Sequence, residues 1–184
     1  MGLRSTAAAW GVVTRCFHWG MLLAYVGIIG VGVYMTDLPM SPQKLKVYAL
    51  HKSVGLTLLG LAALRLLWRL GERRPTPAPM PAWQQRAAGA THVLLYGLMF
   101  AVPLSGWLFN SAAGFPLQWF RLVNLPALVA PDPGLKALAR SAHGLGVLLL
   151  AAIATLHAAA ALKHHVIDRD GTLTAMLPLR GGPK

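Results

Sequence analysis

The sequence predicts an all-α integral membrane protein, a four-helix bundle, and three observations lead there. The 184 residues are 55% hydrophobic and only 12% charged, about half the charge of an ordinary globular domain, with a mean hydropathy of +0.53. A single core in a chain of this size cannot hide so much apolar side chain, because much of a small domain's surface stays wet. The apolar residues are gathered into four continuous runs, each close to the roughly 20 residues that cross a 30 Å hydrocarbon layer as a helix. They do not alternate with polar residues, as the strands of a membrane barrel must.

The first run, Cys16 to Met35, stops at Thr36-Asp37-Leu38-Pro39, and its helix is predicted over about 12–36. The second, Val47 to Leu67, holds a Lys and an Arg near opposite ends and predicts a helix over 45–70. The third, Val93 to Phe109 within a helix over 87–110, contains Pro103, which removes a backbone donor and predicts a kink. The fourth, Leu145 to Leu162, predicts a helix over 136–165. Between helices two and three, the Pro-rich PTPAPMP stretch reads as an extended linker. Residues 112–131 carry Phe115, Leu117, Trp119, Phe120, Leu122 and Leu125, too apolar for a solvated loop. They predict a short helix lying at the membrane interface. The N-terminal residues lack the charged, apolar, small-residue order of a cleavable signal. One membrane domain over 1–184 accounts for the chain.

The charge is lopsided, with 17 Lys+Arg against 5 Asp+Glu, net +12. Its placement decides what it means. Arg4, Arg15, Arg69, Arg73, Arg74, Arg86, Lys163, Arg169, Arg180 and Lys184 fall on the side of the termini. Lys44, Lys46, Lys52, Arg121, Lys136 and Arg140 fall on the other. This bias predicts that both termini are cytoplasmic. Charges flanking membrane spans in short loops argue for a lipid partner and against nucleic acid. The single Cys excludes a disulfide framework, a Cys-based zinc cluster and C-x-x-C-H haem attachment.

Five of the seven histidines lie in or at the ends of these helices: His18, His51, His92, His143 and His157. One such histidine is commonly an interhelical hydrogen-bonder; five in so small a bundle point to function, since ionisable groups in membrane helices are costly. His143 and His157 are fourteen residues apart, which leaves them about 40° from one face and roughly 21 Å apart along the axis. Two ligands on one face at two depths suit a helix that holds two stacked haems. Each iron would take its second imidazole from a facing helix at the same depth. His51 is level with His143, whereas His18 and His92 are both level with His157. The spacing leaves that inner choice open. Gly55, Gly144, Gly146, Ala154 and Ala158 to Ala161 supply small neighbours for a flat ring. Bis-imidazole iron has no open position, so such haems transfer electrons. Without covalent attachment they would be b type. A di-iron carboxylate site is excluded, since Glu72 is the only Glu, and no clustered zinc ligands with a general base are apparent.

The segments Arg15-Cys16-Phe17-His18-Trp19, Leu50-His51-Lys52-Ser53-Val54-Gly55 and Ala142-His143-Gly144 resemble those of the bacterial cytochrome b561 family. So does the C-terminal run Leu156-His157 to Lys163-His164-His165, continued by Asp168 to Leu173 and Met176-Leu177-Pro178. The resemblance covers nearly the whole chain and implies a multi-pass protein of the bacterial inner membrane. It implies two haem b groups with His18, His51, His143 and His157 as axial ligands, so that His18 and not His92 pairs with His157. Its superoxide oxidase-like subgroup implies electron flow from superoxide, or another periplasmic redox partner, to ubiquinone and the quinone pool. The alternative is an anchor subunit of a hydrogenase-like or other reductase complex. No catalytic residue is assigned. Lys52, Arg140, Lys44 and Lys136 are candidates for steering an anion to the outer haem. Arg65 is a candidate partner for a haem propionate, and His92 and His164, with His165 beside it, for a quinone or proton site.

Overall fold

The computed structural model describes residues 2–76 and 78–177. Pro77, Pro178, Arg180 and Lys184 lie outside the described residues. Four long helices are present among the described residues, α1 (Val12–Asp37), α2 (Pro42–Leu70), α3 (Ala82–Ala112) and α4 (Pro133–Lys163). Each is long and apolar enough to cross a membrane.

Three helices, α2, α3 and α4, begin about a turn earlier than expected from the apolar runs, and for α2 and α4 the cause is capping chemistry. The Ser41 side chain accepts from the Lys44 N–H, with Pro42 in the first turn. The Asp132 side chain accepts from the Leu135 N–H, with Pro133 in the first turn. A short polar side chain followed by proline satisfies the orphan amides and pre-sets φ. α4 ends in a π-helical turn, His164–Asp168, closed by Arg169 in the left-handed region at φ 53°.

α3 stays helical through Pro103. Proline cannot donate to the carbonyl four residues back, which here is Met99. The Tyr25 hydroxyl of α1 donates to it instead, at 3.2 Å. The gap in the backbone ladder thus becomes an interhelical contact.

The predicted interfacial helix over 112–131 is not formed. A β-hairpin stands there, with β1 (Leu117–Trp119) antiparallel to β2 (Val123–Leu125) and Leu117 opposite Leu125. Three residues, Phe120, Arg121 and Leu122, connect the strands; Phe120 and Arg121, at φ 46° and 62°, are the central pair of a β-turn closed by Leu122 N–H to the Trp119 carbonyl at 2.9 Å. Pro116 and Pro126 bracket the strands and oppose helix. The hairpin is fastened to α2. Phe120 N–H donates to Ser53 Oγ at 3.0 Å, Ser53 Oγ lies 3.3 Å from the Gln118 carbonyl, and the Trp119 indole donates to Thr57 Oγ1 at 3.0 Å.

α1 packs along α2, α2 along α3 and α3 along α4, whereas α4 has no comparable contact with α1 or α2. Met21, Ala62, Met99 and Leu150 form the buried core, flanked by Phe17, Tyr25, Leu61, Leu95, Leu98 and Phe100. Leu150 lies seven residues from His143 and seven from His157, so this apolar layer separates two histidine levels.

The end opposite the hairpin is closed by the N-terminal segment. Val12 and Val13 N–H, which α1 leaves unpaired, donate to the Gly2 and Leu3 carbonyls. That fold-back passes so near Gly11 that a Cβ there would strike the Leu3 carbonyl. Ser5 N–H donates to Glu72 at 2.8 Å, Thr76 N–H to the Ala7 carbonyl at 2.9 Å and the Trp19 indole to the Met176 carbonyl at 3.0 Å. The described residues near both ends of the chain therefore meet at one face of the bundle.

Candidate functional site

The outer level joins α2 to α4. The His51 and His143 rings lie 6.3 Å apart between centroids, inclined at 79°. His143 Nδ1 donates to the Val102 carbonyl at 2.9 Å, with Ser105 Oγ 3.3 Å away. A carbonyl only accepts, so the proton is on Nδ1 and Nε2 keeps its lone pair, the arrangement a metal-ligating imidazole requires. Both rings are seated against glycine. A Cβ at Gly32 would come within 3.1 Å of His51 Cε1, and one at Gly106 within 3.1 Å of His143 Cε1.

The inner level joins α1, α3 and α4 around His157. The His18 ring centroid is 6.2 Å from it and that of His92 is 5.4 Å. Arg65 reaches in from α2, its Nη2 3.3 Å from His18 Nδ1 and its guanidinium over the Tyr96 ring at 5.5 Å. It is turned into the bundle and does not snorkel outward.

Below this level the π turn gathers His164, Asp168 and Asp170, whose ligand-type atoms all lie within 4.8 Å of one another. His164 Nδ1 is 2.7 Å from Asp170 and 3.1 Å from Asp168, which also pairs with Lys163 at 2.7 Å. Burial pushes the Asp170 carboxyl up, but hydrogen bonds from Thr172 and His164 outweigh it and hold the group below the usual carboxylate range. These residues line a cavity of about 330 Å³ with Pro79, Met80, Pro81 and Gln84. His165 is exposed on the far side of the turn.

Among the candidate steering cations, two are engaged locally. Lys52 donates to Asn110 Oδ1 at 3.1 Å and to the Pro116 carbonyl at 3.3 Å, tethering the base of the hairpin. Lys44 donates to the Thr36 and Leu38 carbonyls, where a cation suits the α1 C-terminus. Lys136, Arg140, Lys46 and Arg121 are exposed on the same end. Sequence reasoning missed Gly32, Gly106, Ser105 and the Val102 carbonyl. Glycines in the middle of apolar helices were the available signal, yet small residues are common wherever membrane helices touch.

A family model described as prokaryotic cytochrome b561 matches residues 9–179. The chain belongs to the prokaryotic cytochrome b561 family. It is 35% identical over 182 residues to cytochrome b561 homolog 2 of Escherichia coli (strain K12), covering 96% of this chain and 95% of that one. Cytochrome b561 homolog 1 of the same organism is 35% identical over 136 residues, 71% of this chain and 74% of its own. A Yersinia pestis protein named probable superoxide oxidase CybB is 31% identical over 168 residues, 90% and 93% of the two chains. A cytochrome b561 family member with four membrane-crossing helices is a multi-pass membrane electron-transfer protein.

Proposed function

We propose that this cytochrome b561 binds two b haems, one on His51 with His143 and one on His18 with His157, and carries electrons from superoxide to ubiquinone. One observation carries the ligand assignment. An imidazole nitrogen sits about 2.0 Å from a bound metal, and the ring centroid roughly 1.1 Å behind it, so two imidazoles across one iron have centroids about 6.2 Å apart. The two assigned pairs stand at 6.3 and 6.2 Å. His92, at 5.4 Å from His157, is too close to share an iron with it in that way. The absence of extended α4 packing against α1 or α2 supports the same reading, because both pairs meet across that separation.

A bis-imidazole haem supplies one-electron transfer without an open coordination site. The protein's own residues do the rest. The Val102 carbonyl fixes the tautomer of His143, and Gly32 and Gly106 let the outer rings approach their helices. Lys136, Arg140, Lys46 and Arg121, opposed at that end by Asp37 and Asp132, make a positive field that raises the local concentration of a small anion. The name of the Yersinia relative supports superoxide as that anion. Quinone reduction consumes protons as well as electrons. His164 is held through Nδ1 at the wall of a polar cavity and has its other nitrogen available for that role. The ten-to-six division of cations supports cytoplasmic termini, and the bacterial relatives support the inner membrane.

The test is a pyridine haemochrome assay with superoxide-driven ubiquinone reduction by the purified protein in liposomes. Two haems per chain and a rate that needs no added protein are expected. One haem per chain would overturn the ligand assignment, and a rate that appears only with a partner would favour the subunit reading.

A further inference from the structure

Arg65 and Arg69 are one turn apart on the inner half of α2. Two like charges at this spacing repel on a helix, and neither forms a salt bridge among the described residues. Arg65 rests on Tyr96 and Arg69 over the Trp10 ring at 4.4 Å. Arg69 Nη1 is buried with no hydrogen-bond acceptor, a costly state for a guanidinium donor. The nearby carboxylate, Glu72, accepts from Ser5 N–H through Oε2 and makes no salt bridge with Arg69.

The contact between Arg65 and His18 raises the same demand. A guanidinium only donates, so His18 Nδ1 accepts from Arg65, which leaves the ring proton on Nε2. An imidazole that binds iron through Nε2 carries its proton on Nδ1 instead, and that N–H cannot accept. Once His18 is a ligand, Arg65 needs an acceptor of its own. Arg65 thus reaches the level where His18 and His157 meet, with Arg69 one turn beyond it on the same helix, and neither guanidinium has an anion bound to it. A b haem brings two carboxylates.

We propose that Arg65 and Arg69 form a paired guanidinium clamp for the carboxylates of the inner haem, with Trp10 and Tyr96 as the shelves that hold it in place. The clamp rests on the assignment of a haem to His18 and His157. Its cations stabilise the reduced iron electrostatically, so it sets the inner haem's potential above what the same ligands alone would give.

The experiment is a potentiometric titration of the purified protein and of Arg65→Gln, Arg69→Gln and Arg69→Lys, with the inner component identified by its absence in His18→Ala. Loss of the Arg69 charge is expected to disfavour reduction of the inner haem about tenfold, a fall of about 59 mV for a one-electron couple. The outer midpoint should stay fixed, and Arg69→Lys should recover most of the shift. Haem content and the spectrum of Arg69→Gln report whether the bundle is intact. If both Gln variants retain their haems and leave the inner midpoint unchanged, the clamp is wrong. The same holds if both midpoints move together, as they would were the guanidiniums binding lipid phosphate at the membrane surface. If His18→Ala removes neither component, the underlying haem assignment has failed instead.

Discussion

A histidine that binds iron must keep one nitrogen open and hold its ring still, and the surroundings of His143 do both. Gly106 is part of that arrangement. Its replacement by Ala should favour the α3 helix by about 0.5–1 kcal/mol on backbone entropy alone, yet the added Cβ would crowd Cε1 and Nδ1 of His143 at 3.1 and 3.2 Å. Gly106→Ala should therefore lower outer-haem occupancy while the helix stays intact. Gly97→Ala, in the same helix with open space around it, should keep both haems; haem stoichiometry with circular dichroism separates the two. At the inner level, His18→Ala should remove one haem and His92→Ala none. Retention of both haems in His18→Ala with loss of one in His92→Ala, read from low-temperature spectra, would show that α3 supplies the ligand.

At the scale of elements, the hairpin depends on α2. Ser53 is buried at 3% exposure, donates to the Ala49 carbonyl at 2.9 Å and accepts from Phe120 N–H at the turn. Ser53→Ala leaves that N–H without its acceptor, at a cost of about 1–3 kcal/mol. Amide exchange at Phe120 and Leu122 should accelerate by one to two orders of magnitude, with exchange in the middle of α4 unchanged. Equal acceleration in both places would mean that the hairpin and bundle open together.

For the whole molecule, charge acts at the two ends in different ways. At the outer end, Lys136→Glu with Arg140→Glu should slow superoxide consumption severalfold at low salt and flatten its salt dependence, because exposed charges steer through a screened field. These two positions are the appropriate ones, since Lys52 is tied to Asn110 and Pro116 and its loss would disturb the hairpin. A wild-type rate already insensitive to salt would show that steering does not operate. At the inner end, the Ser5 hydrogen bond holds the Glu72 carboxyl below the usual carboxylate range. A carboxyl whose folded pKa is depressed stabilises the fold above its unfolded pKa, and that contribution is lost as pH falls through the folded value. The Ser5 contact should thus be retained at neutral pH and loosen only at pH values below the ordinary glutamate range. Proteolysis of the N-terminal segment should rise over that range in wild type and be high at every pH in Glu72→Gln.

The number of helices, their order and the two histidine levels were legible in the sequence because each depends on local quantities. Hydrocarbon thickness sets the length of an apolar run, and the helical repeat places His143 and His157 on one face. Pairing across the bundle was only partly legible. Depth made His51 level with His143 but left His18 and His92 equal, and the difference between 6.2 and 5.4 Å from His157 appears only when three helices are placed together. The hairpin over 117–125 was hidden because its apolar and aromatic residues suit an interfacial helix equally well. What decided against the helix was Ser53 and Thr57 on a distant turn of α2, together with two non-glycine residues held at positive φ. The orphaned Nη1 of Arg69 was likewise invisible. A sequence records that an arginine is present, whereas whether its guanidinium is buried and short of an anion depends on what the rest of the chain packs around it.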